Sequence, residues 1–261
     1  MEEQPAAELD AVAQAFLATW EHLLTAVPGA WTRRLDETLG AVSTVPVAMM
    51  NGAWAVGSGG DAALVAELLG EVDRSGLPHC LQLRPCAGGD LLALAETLNM
   101  APHPAAPLLT IRELGEVERT LSATDVALRQ LEPREAPLHQ ALAAEGFGMP
   151  QAFLAQIASP AVLALPGVKT YIAESDGEAV ATALAVRIER HVGIFNVATP
   201  SRHRRRGYGA AVTALAVRDA FDDGADRAWL QSSPMGLGVY DRLGFALAES
   251  WQRWVSQPAS G

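Results

Sequence analysis

Residues 196–210 read Asn-Val-Ala-Thr-Pro-Ser-Arg-His-Arg-Arg-Arg-Gly-Tyr-Gly-Ala, an apolar stretch that turns at Pro200 into a basic, glycine-rich loop. Tyr208, Val212, Leu215 and Ala216 then follow at helical spacing, so the loop opens a helix with one buried face. The first turn of any helix carries N–H groups without an intrahelical acceptor and the positive end of the macrodipole. Gly207 and Gly209 keep side chains out of the way of an anion there, and Arg204, Arg205 and Arg206 add positive charge. The chemistry predicted is the binding of a diphosphate. A solvated basic loop, or one touching nucleic acid, is the competing reading, and the two glycines at the helix start disfavour it. The loop has no G-x-x-x-x-G-K-[ST], and it follows an antiparallel meander, whereas a dinucleotide fold opens with its glycine motif.

Few other residues suggest chemistry. Tyr240 can donate a phenolic proton or simply pack. Ser232 and Ser233, at the end of an expected strand, can touch a ligand or shape a turn. Glu174, Glu189 and His191 lie on or beside strands and are candidate bases, each read first as a surface charge; His203 reads as a loop side chain. Asn51 and Trp54 look like strand and core residues, though either can line a pocket. The two cysteines, Cys80 and Cys86, form neither a disulfide framework nor a zinc set and read as reduced thiols.

The elements that must position these residues follow from periodicity. Leu9, Val12, Phe16, Trp20, Leu23, Leu24 and Val27 make one apolar stripe of a first helix, closed by Pro28-Gly29. A strand-like run over 45–56 is stopped by Gly57-Ser58-Gly59-Gly60, and Asp61 caps a helix through Val72. A strand at 79–84, a helix at 88–100 and a strand at 107–111 come next, with a stiff, exposed-looking Pro-His-Pro-Ala-Ala-Pro at 102–107. The charged stretch 112–119 marks a boundary, giving domains 1–118 and 119–261. Beyond it come a strand at 126–131, helices at 136–145 and 151–157, and an antiparallel meander at 169–174, 181–189 and 192–198. A helix at 207–222, a strand at 227–231, a short helix at 238–243 and a strand at 246–255 complete an α/β order in both halves. The halves echo one another faintly, His79-Cys80-Leu81-Gln82 against Arg227-Ala228-Trp229-Leu230-Gln231, each leading to a helix.

The pattern Arg204-x-x-Gly207-x-Gly209, preceded by Val197-Ala198-Thr199, resembles the acetyl-CoA signature of the GNAT superfamily of N-acetyltransferases. Val239-Tyr240-Asp241-Arg242-Leu243-Gly244-Phe245 is similar to that family's second hallmark, a tyrosine followed by Leu-Gly-Phe. The resemblance covers about 125–255 in topology and 196–245 in motif. It implies an α/β fold with a mixed sheet, in two tandem acetyltransferase-like domains of which the first is degenerate and helps to shape the acceptor pocket; the alternative for the first half is an unrelated, accessory α/β extension. The main chain of Val197 and Thr199, flanking Ala198, would pair with the pantetheine arm. The amides of residues 205–210, from Arg205 through Gly207, Tyr208 and Gly209 to Ala210, would hold the pyrophosphate. Tyr240 would stand near the thioester sulfur as donor to the departing thiolate. The implied activity is a direct transfer from acetyl-CoA to a primary amine of a small molecule or peptide, without a metal and without a covalent enzyme intermediate. The alternative is a catalytically silent acyl-CoA-binding sensor.

Composition limits the setting. Of 261 residues, 49% are hydrophobic and 19% charged, enough apolar surface for one large or two ordinary domains and too much for a disordered chain. With 19 basic against 30 acidic side chains, the net charge of −11 disfavours nucleic acid and favours a cationic acceptor such as a polyamine, an amino sugar or a basic peptide end. No apolar run reaches membrane-spanning length, and the acidic start Met1-Glu2-Glu3 is unlike an export signal. The expectation is a cytoplasmic monomer or homodimer.

Overall fold

The computed structural model describes residues 6–257. The chain divides into two compact units, one running to Leu108 and including the residues from Ala248 on, the other Leu109–Leu247. In chain order the first part holds α1 (Ala6–Leu24), β1 (Trp31–Leu35), β2 (Thr38–Val42), β3 (Asn51–Ala55), α2 (Ala62–Asp73), β4 (Cys80–Leu83), α3 (Gly89–Thr97) and β5 (Ala101–Ile111). There follow α4 (Gly115–Ala123), β6 (Ala127–Leu131), α5 (Ala136–Phe147), α6 (Gln151–Ile157), α7 (Pro160–Leu163), β7 (Val168–Ser175), β8 (Glu178–Ile188) and β9 (His191–Ala198). The last elements are α8 (Tyr208–Asp222), β10 (Arg227–Gln231), α9 (Leu237–Arg242) and β11 (Ala246–Val255).

In the first unit β1, β2 and β3 form an antiparallel meander, β4 runs parallel to β3, and β11 runs antiparallel to β4. The stripe expected on α1 packs inward: Phe16 meets Trp251 edge-on at 5.0 Å and Trp20 stacks on Trp54 at 5.1 Å. Asp61 caps α2 by accepting from the Ala63 N–H, as its place in the sequence predicts.

The run expected as one strand over 45–56 is shorter, and a hairpin precedes it. Asn51 is the cause. Its buried amide donates to the carbonyls of Val45 and Pro78 while its oxygen accepts from the Ser43 N–H, folding 45–50 back before β3 begins. Asn51 is therefore a structural residue. The hairpin escaped notice because β1, Trp-Thr-Arg-Arg-Leu, has no alternation, and distant carboxylates stabilise its arginines: Arg33 pairs with Glu67 and Arg34 with Glu21.

In the second unit β7, β8 and β9 form the expected antiparallel meander, β6 adds antiparallel to β7, and β10 lies parallel to β9. Helix α8 packs on one face of this sheet, burying Val212, Leu215 and Val217 against Tyr171, Ala183 and Ile194. Ala143 and Ala144 of α5 form a separate cluster with Leu154 and Ala198.

The boundary falls at Leu108/Leu109, ahead of the composition shift that suggested 118/119, because Val117 of α4 is buried in the core of the second unit. Most of β11 likewise belongs with the first unit, so a division into 1–118 and 119–261 does not describe the packing. The proline-rich 102–107 is part of β5, exposed over most of its length. Each unit repeats one order: a three-stranded meander, a helix, a strand parallel to the third, then a helix. The faint echo in the sequence falls on the two parallel strands, β4 and β10.

His139 of α5 is wholly buried. Thr182 donates its hydroxyl hydrogen to the Tyr171 carbonyl at 2.9 Å, so it accepts from His139 Nδ1–H at 2.7 Å. Nε2 has no partner among the described residues, and burial pushes the imidazole down to about 4. The folded state thus holds this group neutral while the unfolded chain protonates it near 6.5. The unfolded chain binds the extra proton in that window, so stability should fall as pH drops from about 6.5 to about 4, by roughly 3 kcal/mol. Urea titrations across that range would show the loss, and His139→Leu should flatten it.

Candidate functional site

The site begins where two strands part. Parallel pairing of β9 with β10 runs from His191↔Arg227 to Gly193↔Trp229 and stops. Past that point β9 continues to Ala198 and β10 to Gln231, outside the ladder. The parting has a steric cause. Phe195 and Trp229 meet edge to face, ring centres 5.3 Å apart, and a Cβ on Gly193 would lie 2.6 Å from both rings. Gly193→Ala should therefore cost about 1–3 kcal/mol of stability, read in urea denaturation, through overpacking at this wedge.

A bulge lies farther along β9. Register against β8 slips by one residue between Leu184↔Phe195 and Thr182↔Ala198, and Asn196 there adopts φ +49°. Backbone polar groups of residues 196–198 thus face the gap between the strands with no ladder partner on the β10 side. An extended amide-bearing ligand can bond to such an edge as an added strand does.

Beyond Ala198 the chain turns through Pro200 and reaches Gly207, whose φ of +83° sets the left-handed entry to α8. A Cβ there would meet nothing within 4 Å, so the glycine is required by its backbone and fronts open space. Gly209 differs. Its Cβ would lie 3.2 Å from Thr199 Oγ1, so its bareness lets the helix start approach the end of β9 closely. Tyr208 is buried and hydrogen-bonds to Ser175 Oγ at 3.3 Å, anchoring the first turn.

The arginines divide into two roles. Arg204 keeps its charge but is tied to the backbone: its guanidinium donates to the Thr199 carbonyl at 3.0 Å and the Gly146 carbonyl at 2.7 Å, joining the end of β9 to the end of α5. Of the three arginines expected beside an anion, Arg204 is thus the one whose guanidinium is partly committed to the chain's own carbonyls. The Thr199 carbonyl is also occupied, which leaves Val197 as the better partner for a ligand amide. Arg202 pairs with Glu145 and Glu178, and His203 with Glu178. Arg205 and Arg206 are exposed, with no ion pair among the described residues, beside the open amides of residues 205–210.

Tyr240 lies over the far end of β10. Cε2 of its ring would be 3.0 Å from a Cβ on Gly236, and Ser232 Oγ 2.9 Å from the same point. Leu-Gly-Phe fixes it there. Leu243 and Phe245 are buried, Gly244 takes φ +88° to end α9, and the Phe245 ring packs on Tyr240 at 5.9 Å. The phenol makes no hydrogen bond with any described residue, and burial pushes it up to about 12, so it stays protonated at ordinary pH. Ser232 donates to the Ser233 carbonyl and acts as a turn residue. Among the candidate bases, Glu174 is held by Arg129 at 3.2 Å, while Glu189 and His191 lie at the opposite end of β9 from the bulge. Gln231 was missed. It stands at the end of β10 beyond the parting, its Nε2 occluded and without a partner among the described residues. No sequence signal distinguishes it from an ordinary strand glutamine.

The first unit lacks such an opening. Pairing of β3 with β4 runs through four residues, Gly52↔Cys80 to Ala55↔Leu83, and the Arg84 N–H continues it to the Ala55 carbonyl. The buried Arg84 guanidinium then bonds to the Val56 carbonyl at 3.1 Å, to Glu249 at 2.6 Å and to Asp10 at 2.7 Å. At the head of α2 the Asp61 carboxylate already takes an amide that an anion would need.

The profile of the acetyltransferase (GNAT) family matches residues 130–245. A GCN5-related N-acetyltransferase from Kribbella flavida aligns with 97% of this chain and 96% of its own, at 22% identity and a TM-score of 0.71. A GCN5-related N-acetyltransferase-like protein from Streptococcus suis aligns over 96% and 100% at 13% identity and 0.58. A GCN5-related N-acetyltransferase from Sphaerobacter thermophilus aligns over 76% and 67% at 15% and 0.54. Among curated proteins none matches. At these identities the likeness to solved structures is one of fold, and it extends over nearly the whole chain. The family profile falls on the parted strands, the glycine loop and Tyr240, so residues 130–245 are the part of the chain that matches the GNAT acetyltransferase family.

Proposed function

We propose that the second unit binds acetyl-CoA and transfers its acetyl group directly to a primary amine. The observation that carries this reading is the parting of β9 from β10 after Gly193 and Trp229, directly ahead of the glycine loop that opens α8. The bulged edge near Val197 would receive the pantetheine amides. The amides of residues 205–210, with the side chains of Arg205 and Arg206, would receive the diphosphate. Tyr240, uncharged and without a partner among the described residues, would donate to the coenzyme sulfur as the amine attacks the thioester carbonyl and the C–S bond breaks. The attacking amine then loses its proton to ordered water, since the three candidate carboxylate and imidazole groups are engaged or distant. The acceptor is a cationic small molecule or peptide end, in keeping with the net charge of −11. The first unit, with its closed ladder, takes no coenzyme.

A silent coenzyme-binding sensor is the second reading, favoured by the lack of a placed base. Calorimetry with coenzyme A, followed by thiol release from acetyl-CoA across a panel of polyamines, amino sugars and peptides, separates the two. Binding with release supports transfer; binding without release for any acceptor supports the sensor; no binding overturns both.

A further inference from the structure

The first unit contains a cavity of about 360 Å³, between the last turns of α2 and α3, the start of β4 and the end of β11. Its room comes from Gly70, where a Cβ would meet nothing within 4 Å. Leu69 and Met100 give it an apolar floor. Its polar wall offers acceptors from Asp73 and His79, while Asn99, Ser256 and Gln257 carry groups that both donate and accept. Asp73, the charged residue of the lining, is exposed and makes no ion pair with any described residue, and neither lysine nor arginine lines the space. Helices α2 and α3 both end here, at Asp73 and Thr97, so the negative ends of two macrodipoles converge on it.

His79 adds a further acceptor. It is buried, and its Nδ1 lies 3.1 Å from the Leu77 carbonyl. A carbonyl only accepts, so in the neutral ring Nδ1 carries the hydrogen and Nε2 offers its lone pair, with no partner among the described residues. The Nδ1 bond orients the ring, and the His79 main chain is held on both sides by Ser256, at 3.0 and 2.8 Å.

We propose that this cavity binds a small organic cation, a primary ammonium on a short apolar stem. The three N–H donors of such a group match a carboxylate, an imidazole lone pair and helix-end carbonyls, and the stem covers Leu69 and Met100. A carboxylate ligand of the same shape would meet the Asp73 charge and two unfavourable dipoles. The site belongs to the first unit alone and does not depend on the acyl-transfer reading of the second.

The test uses the full chain, with benzylammonium as probe and benzoate and benzyl alcohol as shape-matched controls, each followed by ligand-observed NMR and calorimetry. Benzylammonium should bind at least about tenfold more tightly than benzyl alcohol, with benzoate weaker still. Gly70→Leu fills the cavity and removes a helix glycine, so it should abolish binding while leaving the melting temperature unchanged or raised. Asp73→Asn, an exposed change, should weaken binding about tenfold whatever the first variant does to folding. Equal binding of benzoate, no binding of benzylammonium, displacement of the probe by coenzyme A, or full binding retained in Asp73→Asn would each overturn the proposal.

Discussion

Gly209→Glu should abolish coenzyme binding, with a loss in affinity for coenzyme A of at least about 100-fold by calorimetry. Two effects combine. The new Cβ would press on Thr199 Oγ1 at 3.2 Å, widening the approach of α8 to the end of β9. The carboxylate would then stand at the helix start, where a diphosphate seeks positive charge. Gly209→Ala separates them, since it keeps the first effect and lacks the second; its loss should be several-fold at most. Melting should be little affected in either variant, because the nine buried residues of α8 include Tyr208, Val212 and Leu215, which stay in place. Affinity surviving the glutamate would place the diphosphate elsewhere.

Tyr240→Phe should leave coenzyme affinity intact and lower kcat by about 100-fold, the scale of a lost proton donor. The ring packing on Phe245 is retained in phenylalanine, so the change removes little but the hydroxyl. The pH dependence has a definite sign. A phenol raised to about 12 by burial keeps its proton below that value and loses donor power only as pH rises through it. The wild-type rate should therefore show no alkaline fall from this group up to about pH 11, whatever other groups do. An unchanged kcat in the phenylalanine variant would return Tyr240 to a packing role.

Much of this was readable in the chain, and the reasons differ by element. The meander of β7 to β9, α8, β10 and β11 were legible because alternation, helical spacing and turn residues such as Asp176-Gly177 agree there. The hairpin of β1 and β2 was not, since its arginines depend on Glu67 and Glu21 from distant helices. The loop that opens α8 was visible as glycine beside arginine, yet composition could not assign Arg204 to two carbonyls while leaving Arg205 and Arg206 exposed. Nor could it show why the strands part. That follows from rings meeting over Gly193, a residue that carries no motif.

The clamp made by Arg204 has a consequence for what evolution can substitute at that position. A planar fork reaches two carbonyls at once, and a lysine ammonium, a compact point charge, reproduces that span poorly. Conserving charge there would not conserve shape, so drift at the motif's opening residue is bounded by carpentry between a strand and a helix. Under the proposed function, ionic strength would correspondingly act on a handle of two cationic side chains, and dissolved salt should loosen a nucleotide tail held that way only modestly.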